Sequence, residues 1–245
     1  MAEFTPHFAP IVVLSFLGAI FLTGLSILVL LYGAARRSKL FAGIGAGTAL
    51  VVAAGYSLVL GVASLASSEK ILPPGGWKYF CEIDCHLAYS IAGFRTAAAL
   101  GPETQQTFAQ GRFALVRLKV WFDEKTISAH RGNGPLTPNR RRVVLVDNTG
   151  RKFGPSVKGQ AALALLNGPA LSLAQPLRPG ESFITDLIFD VPREAQGLRL
   201  LITEDDPETL LIIGQENSLF HKKIYLGLEA ASDITGTVSH LRASS

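Results

Sequence analysis

Pro10 to Ala35 reads PIVVLSFLGAIFLTGLSILVLLYGAA, and Leu40 to Ser68 reads LFAGIGAGTALVVAAGYSLVLGVASLASS. Neither stretch contains an Asp, Glu, Lys or Arg. Each exceeds the ~20 apolar residues that a helix needs to cross a bilayer. Inside hydrocarbon every backbone N–H and C=O must be paired within the segment, so runs of this length can only be helices. The sequence thus predicts a transmembrane hairpin of two helices, about 10–35 and 40–67, within a unit covering residues 1–70. A cleaved signal peptide would need a basic start and a short apolar core. Met1 to Pro10 has no Lys or Arg, and the core is roughly twice the usual length, so the first run reads as a retained helix.

The connection between the runs is Arg36-Arg37-Ser38-Lys39, and the only charge before it is Glu3. By the positive-inside rule the turn is cytoplasmic. Both termini then lie outside, and residues 71–245 form an extracytoplasmic domain, periplasmic or extracellular, on a bacterial inner (cell) membrane. Membrane lipid is one expected partner. Gly43-Ile-Gly-Ala-Gly47 holds a GxxxG spacing, which lets helix backbones approach closely. Gly43 and Gly47 serve either the packing of the two helices on each other or docking onto a partner membrane protein.

Composition agrees with this division. The 245 residues are 48% apolar and 17% charged, with mean hydropathy +0.31, whereas soluble domains carry about 25% charged residues. A wholly soluble enzyme is excluded. From Ile71 onward 19 Lys and Arg face 17 Asp and Glu, a net +2, which argues against a nucleic-acid partner. The pI of 9.2 is a small surplus in a weakly charged chain.

After Leu72-Pro-Pro-Gly-Gly76 the pattern changes to period two. Cys85, Leu87, Tyr89 and Ile91 alternate with small or polar residues, and Ala114, Val116, Leu118, Val120 and Phe122 form a second such stripe. Further strand-like runs are Arg141–Val146, Ser182–Val191, Leu198–Thr203, Leu210–Ile213 and Phe220–Leu228, with turn clusters such as Asp147-Asn-Thr-Gly150 and Asp205-Asp-Pro207 between them. Seven or eight short strands with regular turns predict an antiparallel β-sandwich, roughly as in immunoglobulin-type domains. Ala161–Leu166 is either a short helix or an edge strand.

Two motifs carry a resemblance. Leu145-Val-Asp-Asn-Thr-Gly-Arg-Lys-Phe-Gly-Pro-Ser156, followed by Leu177-Arg-Pro-Gly-Glu-Ser-Phe and Asp186-Leu-Ile-Phe-Asp-Val-Pro192, resembles bacterial exported immunoglobulin-like domains. That family includes immunoprotective secreted mycobacterial proteins and many lipoproteins. The resemblance covers Arg112 to Leu228 and implies architecture, with no established chemistry. The fold expected is a membrane-anchored all-β protein: a two-helix hairpin followed by an immunoglobulin-like sandwich.

The chain has two cysteines, in Cys81-Glu-Ile-Asp-Cys85-His86. In an oxidising compartment a close pair of thiols becomes a disulfide or a metal site. On a straight strand their Cα atoms would be about 13 Å apart, too far for a disulfide. A loop or helical turn would bring them together. The C-x-x-x-C spacing resembles the binuclear copper site of cytochrome oxidase subunit II, itself a helical hairpin bearing an outer β domain. It also resembles that of thioredoxin-like copper-delivery proteins. Tyr89 stands where the subunit II pattern has His, and no Met follows Met1. The resemblance implies copper held by Cys81 and Cys85, with His86 and His221 as further ligands if His221 lies on the last strand. A Cys81–Cys85 disulfide and unrelated residues are the alternatives.

Other patterns have plainer readings. Trp77, Tyr79 and Phe80 form either an interfacial aromatic belt or sandwich packing. Arg140-Arg-Arg142 reads as a solvated strand edge, and Glu204-Asp-Asp206 as an acidic turn closed by Pro207. His130 and His240 read as solvated. The chain has no nucleophile elbow, phosphate loop or HExxH, so it is not expected to be an enzyme. The expectation is a membrane-anchored accessory or scaffolding protein whose sandwich binds a partner in the cell envelope. A copper-binding or electron-transfer module is the alternative.

Overall fold

The computed structural model describes residues 9–82 and 85–228, with the side chains of residues 9–10, 81–82 and 85–86 outside that description. Two helices come first, α1 (Ala9–Ala35) and α2 (Lys39–Leu65). Both are long and apolar enough to cross a membrane. Their large apolar side chains, including Leu14, Phe21, Leu28, Leu50 and Leu58, are mostly exposed. A core helix of a soluble protein would bury them.

The turn between the helices is tight because Arg37 takes a left-handed conformation, φ 51. The Ser38 amide then donates to the Gly33 carbonyl at 2.8 Å and the Arg37 amide to Ala34 at 3.1 Å. This is the Schellman closure of a helix end. The helices touch through Gly33 and Gly45. A Cβ on Gly33 would collide with the Ala42 backbone, and one on Gly45 with the backbone of Leu30 and Ser26. Gly43 and Gly47 face open space, so intramolecular packing uses other glycines than the GxxxG pair. Phe16 packs on Tyr56 (centroids 6.2 Å) near one end of the hairpin, and Tyr32 packs edge-on against Phe41 (5.9 Å) near the other.

The remaining chain is a two-layer β-sandwich. One sheet orders β1 (Lys70–Leu72), β9 (Ile224–Gly227), β8 (Arg199–Glu204), β5 (Arg141–Val146) and β6 (Lys152–Phe153). The other orders β2 (Lys78–Glu82), β3 (Cys85–Leu100), β4 (Thr107–Asp123) and β7 (Ser182–Val191). The two period-two stripes become inner faces. Leu87, Tyr89 and Ile91 of β3 and Val116, Leu118, Val120 and Phe122 of β4 pack with Phe189, Leu145, Leu200, Ile202 and Leu226 in one core. Each such side chain, fully buried, contributes about 1.5–3 kcal/mol.

The residues 161–166 form a helix, within α3 (Val157–Asn167). It caps half of the outer face of the four-stranded sheet, packing Ala162 and Leu163 onto Phe113, Leu115 and Ile188. The sandwich departs from wholly antiparallel pairing at one edge, where β1 runs parallel to β9. Two expected strands also differ. Leu210–Ile213 belongs to no strand, and its first residues end the 3-10 turn Pro207–Leu211. The last strand is confined to Ile224–Gly227, without residues 220–223 and 228 of the expected run.

Candidate functional site

The segment Asp205–Lys223, expected to hold strand residues, instead forms a loop wedged between the sandwich and the end of α2. A buried ionic shelf holds it from the sandwich side. Lys78, on β2, is 3% exposed, and its ammonium meets the carbonyls of Ile202 on β8 and Ile224 on β9, each at 2.7 Å. Its third acceptor is the Glu216 carboxylate, at 2.7 Å to Oε2. An ammonium has three donors, so the charge is fully engaged and clamps one sheet to the other. Burial pushes the Lys78 ammonium below its ordinary pKa, against the pull of Glu216. Glu216 Oε1 also accepts from the Ile224 amide at 2.9 Å, and Lys223 donates to the Glu216 carbonyl at 2.6 Å.

A second pair lies alongside. Arg141, expected on a solvated edge, has a fully buried side chain and meets Glu204 at 3.0 Å. Its guanidinium stacks 4.4 Å above the Phe80 ring centroid, so the aromatic supplies a desolvated cation with a favourable face. The other Glu204 oxygen accepts from the Gln215 side chain at 2.6 Å. Within the loop, Asn217 donates to Thr209 at 2.7 Å and to Gln215 through its amide, and Ser218 donates to the Gln215 carbonyl at 2.6 Å.

The opposite side of the loop bonds to α2 and the residues after it. The Tyr56 hydroxyl donates to the Leu211 carbonyl at 2.7 Å. Ser64 and Ser218 share a buried hydroxyl contact of 3.4 Å, and the Lys222 amide donates to the Ser67 hydroxyl at 2.8 Å. At the sandwich edge, Arg199 reaches Glu69 at 2.5 Å and lies 3.9 Å above the Tyr225 ring. The segment from Ala66 to Glu69 is therefore tied along both flanks.

The expected site residues are placed as follows. Cys81 lies on β2 and Cys85 begins β3, and the two strands pair antiparallel, so the stretch is not the straight strand considered for it. In its register Cys81 stands opposite His86, and Glu82 opposite Cys85. The side chains of Cys81, Cys85 and His86 lie outside the described residues, as does His240. His221 precedes the last strand, in the loop beside Ser67, and its Nδ1 is 2.7 Å from the Lys222 carbonyl. Among the described residues no group of three His, Cys, Asp or Glu is arranged to hold a metal ion.

The aromatic trio belongs largely to the sandwich. Trp77 packs on Trp121 with centroids 5.3 Å apart, Phe80 packs edge-on against Tyr89 at 5.4 Å, and the Tyr79 hydroxyl donates to Asp123 at 3.2 Å. Phe80 and Tyr89 belong to the core between the sheets, whereas Trp77, Trp121 and Tyr79, with Lys119 over Trp77 and half-exposed Ile184, occupy the part of the outer sheet face that α3 leaves uncovered. A recess of about 230 Å³ lies at the other end of that face, lined by Phe108, Gln110, Phe113, Ser156, Lys158 and Asp190. The Asp190 carboxylate there accepts from the Gln110 and Gly111 amides, which makes it a structural cap for the backbone.

No protein-family model matches the chain, and no curated protein matches it. Among solved structures it is similar to the secreted protein MPT63 from Mycobacterium tuberculosis, at 10% identity over 66% of this chain and 99% of that one, TM-score 0.40. It is also similar to the yjhA protein from Bacillus subtilis, at 10% identity over 64% and 99%, TM-score 0.38. An uncharacterized β-sandwich protein from Clostridium difficile matches at 9% identity over 66% and 96%, TM-score 0.35. The sandwich of this chain rests on its own strand pairing and shared core.

Proposed function

We propose that this protein is a membrane-anchored scaffold, an accessory protein that holds an exported immunoglobulin-like sandwich at a fixed attitude over the membrane for a partner in the cell envelope. The helices span the bilayer with Arg36, Arg37 and Lys39 inside, as the positive-inside rule requires, and the sandwich lies outside. The observation that carries this reading is the bonding of α2 and the residues just after it to the 205–223 loop, at Tyr56, Ser64 and Ser67. A domain on a flexible tether would not need it, whereas a domain that must present one face to a neighbour would.

Two surfaces support the partner. Gly43 and Gly47 leave a smooth stripe on α2 turned away from α1, suited to close approach of another membrane helix. The uncovered outer face with Trp77, Trp121, Tyr79 and Ile184 offers the aromatic anchors that dominate protein interfaces.

The test is site-specific photo-crosslinking in the native membrane, with the probe at position 43, 47 or 121. Adducts to one and the same membrane protein from positions 43 and 47 are expected. Adducts to lipid alone from 43 and 47, together with none from 121, would refute the scaffold reading.

A further inference from the structure

The sandwich carries a second apolar surface that neither its core nor the helix pair absorbs. The 205–223 loop turns back on itself where the Leu219 amide donates to the Leu210 carbonyl at 3.0 Å. At this closure Leu210, Leu211, Leu219 and Phe220 are all exposed, Phe220 by 76%. Phe220 moreover has φ 64, a left-handed conformation that is rare for a bulky residue and unfavourable for it. The chain thus accepts backbone strain while directing the largest apolar side chain of this loop outward.

We infer that this loop is a membrane-inserted finger, with Leu210, Leu211, Leu219 and Phe220 seated in the outer leaflet beside α2. The inference rests on the reading that the helices span a bilayer, and depth follows from it. About 20 helical residues cross the ~30 Å hydrocarbon layer, so a span entered at Leu40 leaves it near Val59. Tyr56 then lies about 4 to 5 Å below the outer boundary, where tyrosine is favoured. Its hydroxyl holds the Leu211 carbonyl, which puts that part of the loop at the same depth. A backbone carbonyl exposed to lipid would be costly without a partner, and Tyr56 supplies one.

Continuity and charge agree with lipid as the occupant. The patch adjoins the exposed apolar flank of α2, which includes Val59 and Val62. Immediately after Phe220 the chain turns polar, with His221 and the exposed Lys222 at the level expected of headgroups. Aromatic and leucine side chains below, with lysine above, form the pattern of an interfacial anchor. The shelf of Lys78, Glu216, Arg141 and Glu204 gives the finger a rigid root.

The experiment uses the full chain in phosphatidylcholine vesicles, with bromine placed either high or low on the acyl chains as a quencher. F220W and L211W are each read against the unsubstituted protein, whose emission comes from Trp77 and Trp121, and L25W on α1 reports the hairpin itself. The expected result is that the added emission of F220W and L211W is lost to high bromines and that of L25W to low ones. Quenching of L25W with none of F220W or L211W would overturn the finger and leave the hairpin standing. Escape of all three would remove the hairpin reading, and the finger with it. Shielding of F220W that grows with the protein-to-lipid ratio would assign the patch to a second copy of this chain and overturn the lipid assignment.

Discussion

Lys78 on the first strand of one sheet and Glu216 in the loop beside the other form an ion pair of 2.7 Å with almost no access to water. A pair so placed returns its desolvation cost only while both partners are present. Replacing Glu216 by Gln should destabilise the sandwich by about 3 kcal/mol or more, because it strands a buried ammonium. K78M/E216Q should recover part of that loss, giving a coupling of about 1 to 3 kcal/mol. Denaturation of the detergent-solubilised protein, followed by tryptophan emission, measures E216Q, K78M and the double variant. Additive losses would mean that the two side chains act independently.

The glycines of the hairpin should divide by face. Gly33 and Gly45 lie where the helix backbones touch, so G45L should force α1 and α2 apart and abolish an engineered disulfide between them. Gly43 and Gly47 face away, and G43L or G47L should leave that disulfide intact. Equal effects at both faces would contradict the observed packing.

Gly159 reverses the usual rule for a helix. Alanine in place of an interior glycine normally stabilises by up to about 1 kcal/mol. Here the added Cβ would fall 2.5 Å from Ile188 Cγ2 and 3.0 Å from the Phe113 ring. G159A should therefore destabilise by about 1 to 3 kcal/mol, the cost of overpacking. A higher thermal midpoint for G159A would show that α3 can shift outward freely.

Acid should loosen the turn after β5. Burial opposes ionisation of Asp147, but hydrogen bonds from Thr149, the Arg151 guanidinium and both their backbone amides outweigh it and hold the carboxyl down to about 2 from its ordinary 3.8. The folded value is lower than the unfolded one, so the unfolded chain binds more protons between the two. The stabilisation is complete above the unfolded value and disappears as pH falls through the folded value. Urea midpoints measured across this window should drop for the native protein and drop less for D147N. Parallel pH profiles would discount the Asp147 contribution.

Much of the architecture was legible in the sequence because it rests on period and run length. Two uncharged stretches gave the helices within a few residues, and the odd-numbered stripe from Leu87 and the even-numbered stripe from Ala114 gave the inner faces of β3 and β4. What escaped was set by partners distant in sequence. Leu210–Ile213 has the composition of a strand, and only contact with α2 and the ionic shelf makes it a loop. Arg141 and Glu204 each read as solvated charges in isolation, since nothing local signals that β5 and β8 lie side by side and bury the pair. Strand β1, three residues long, offers no period at all. The copper reading depended on a local motif whose side chains lie outside the described residues, while His221 stands in the loop rather than on the last strand.

Strand β1 emerges from α2 with a single neighbour available to it, and that neighbour is β9. All the chain between them must be made before Ile71 can meet Tyr225. The sheet edge nearest the helices is thus the last to be sealed, and until then its unpaired amides stay open to a chaperone or to a wrong strand. Synthesis as far as β9, more than any local stability, sets the moment at which the sandwich becomes safe from misassembly.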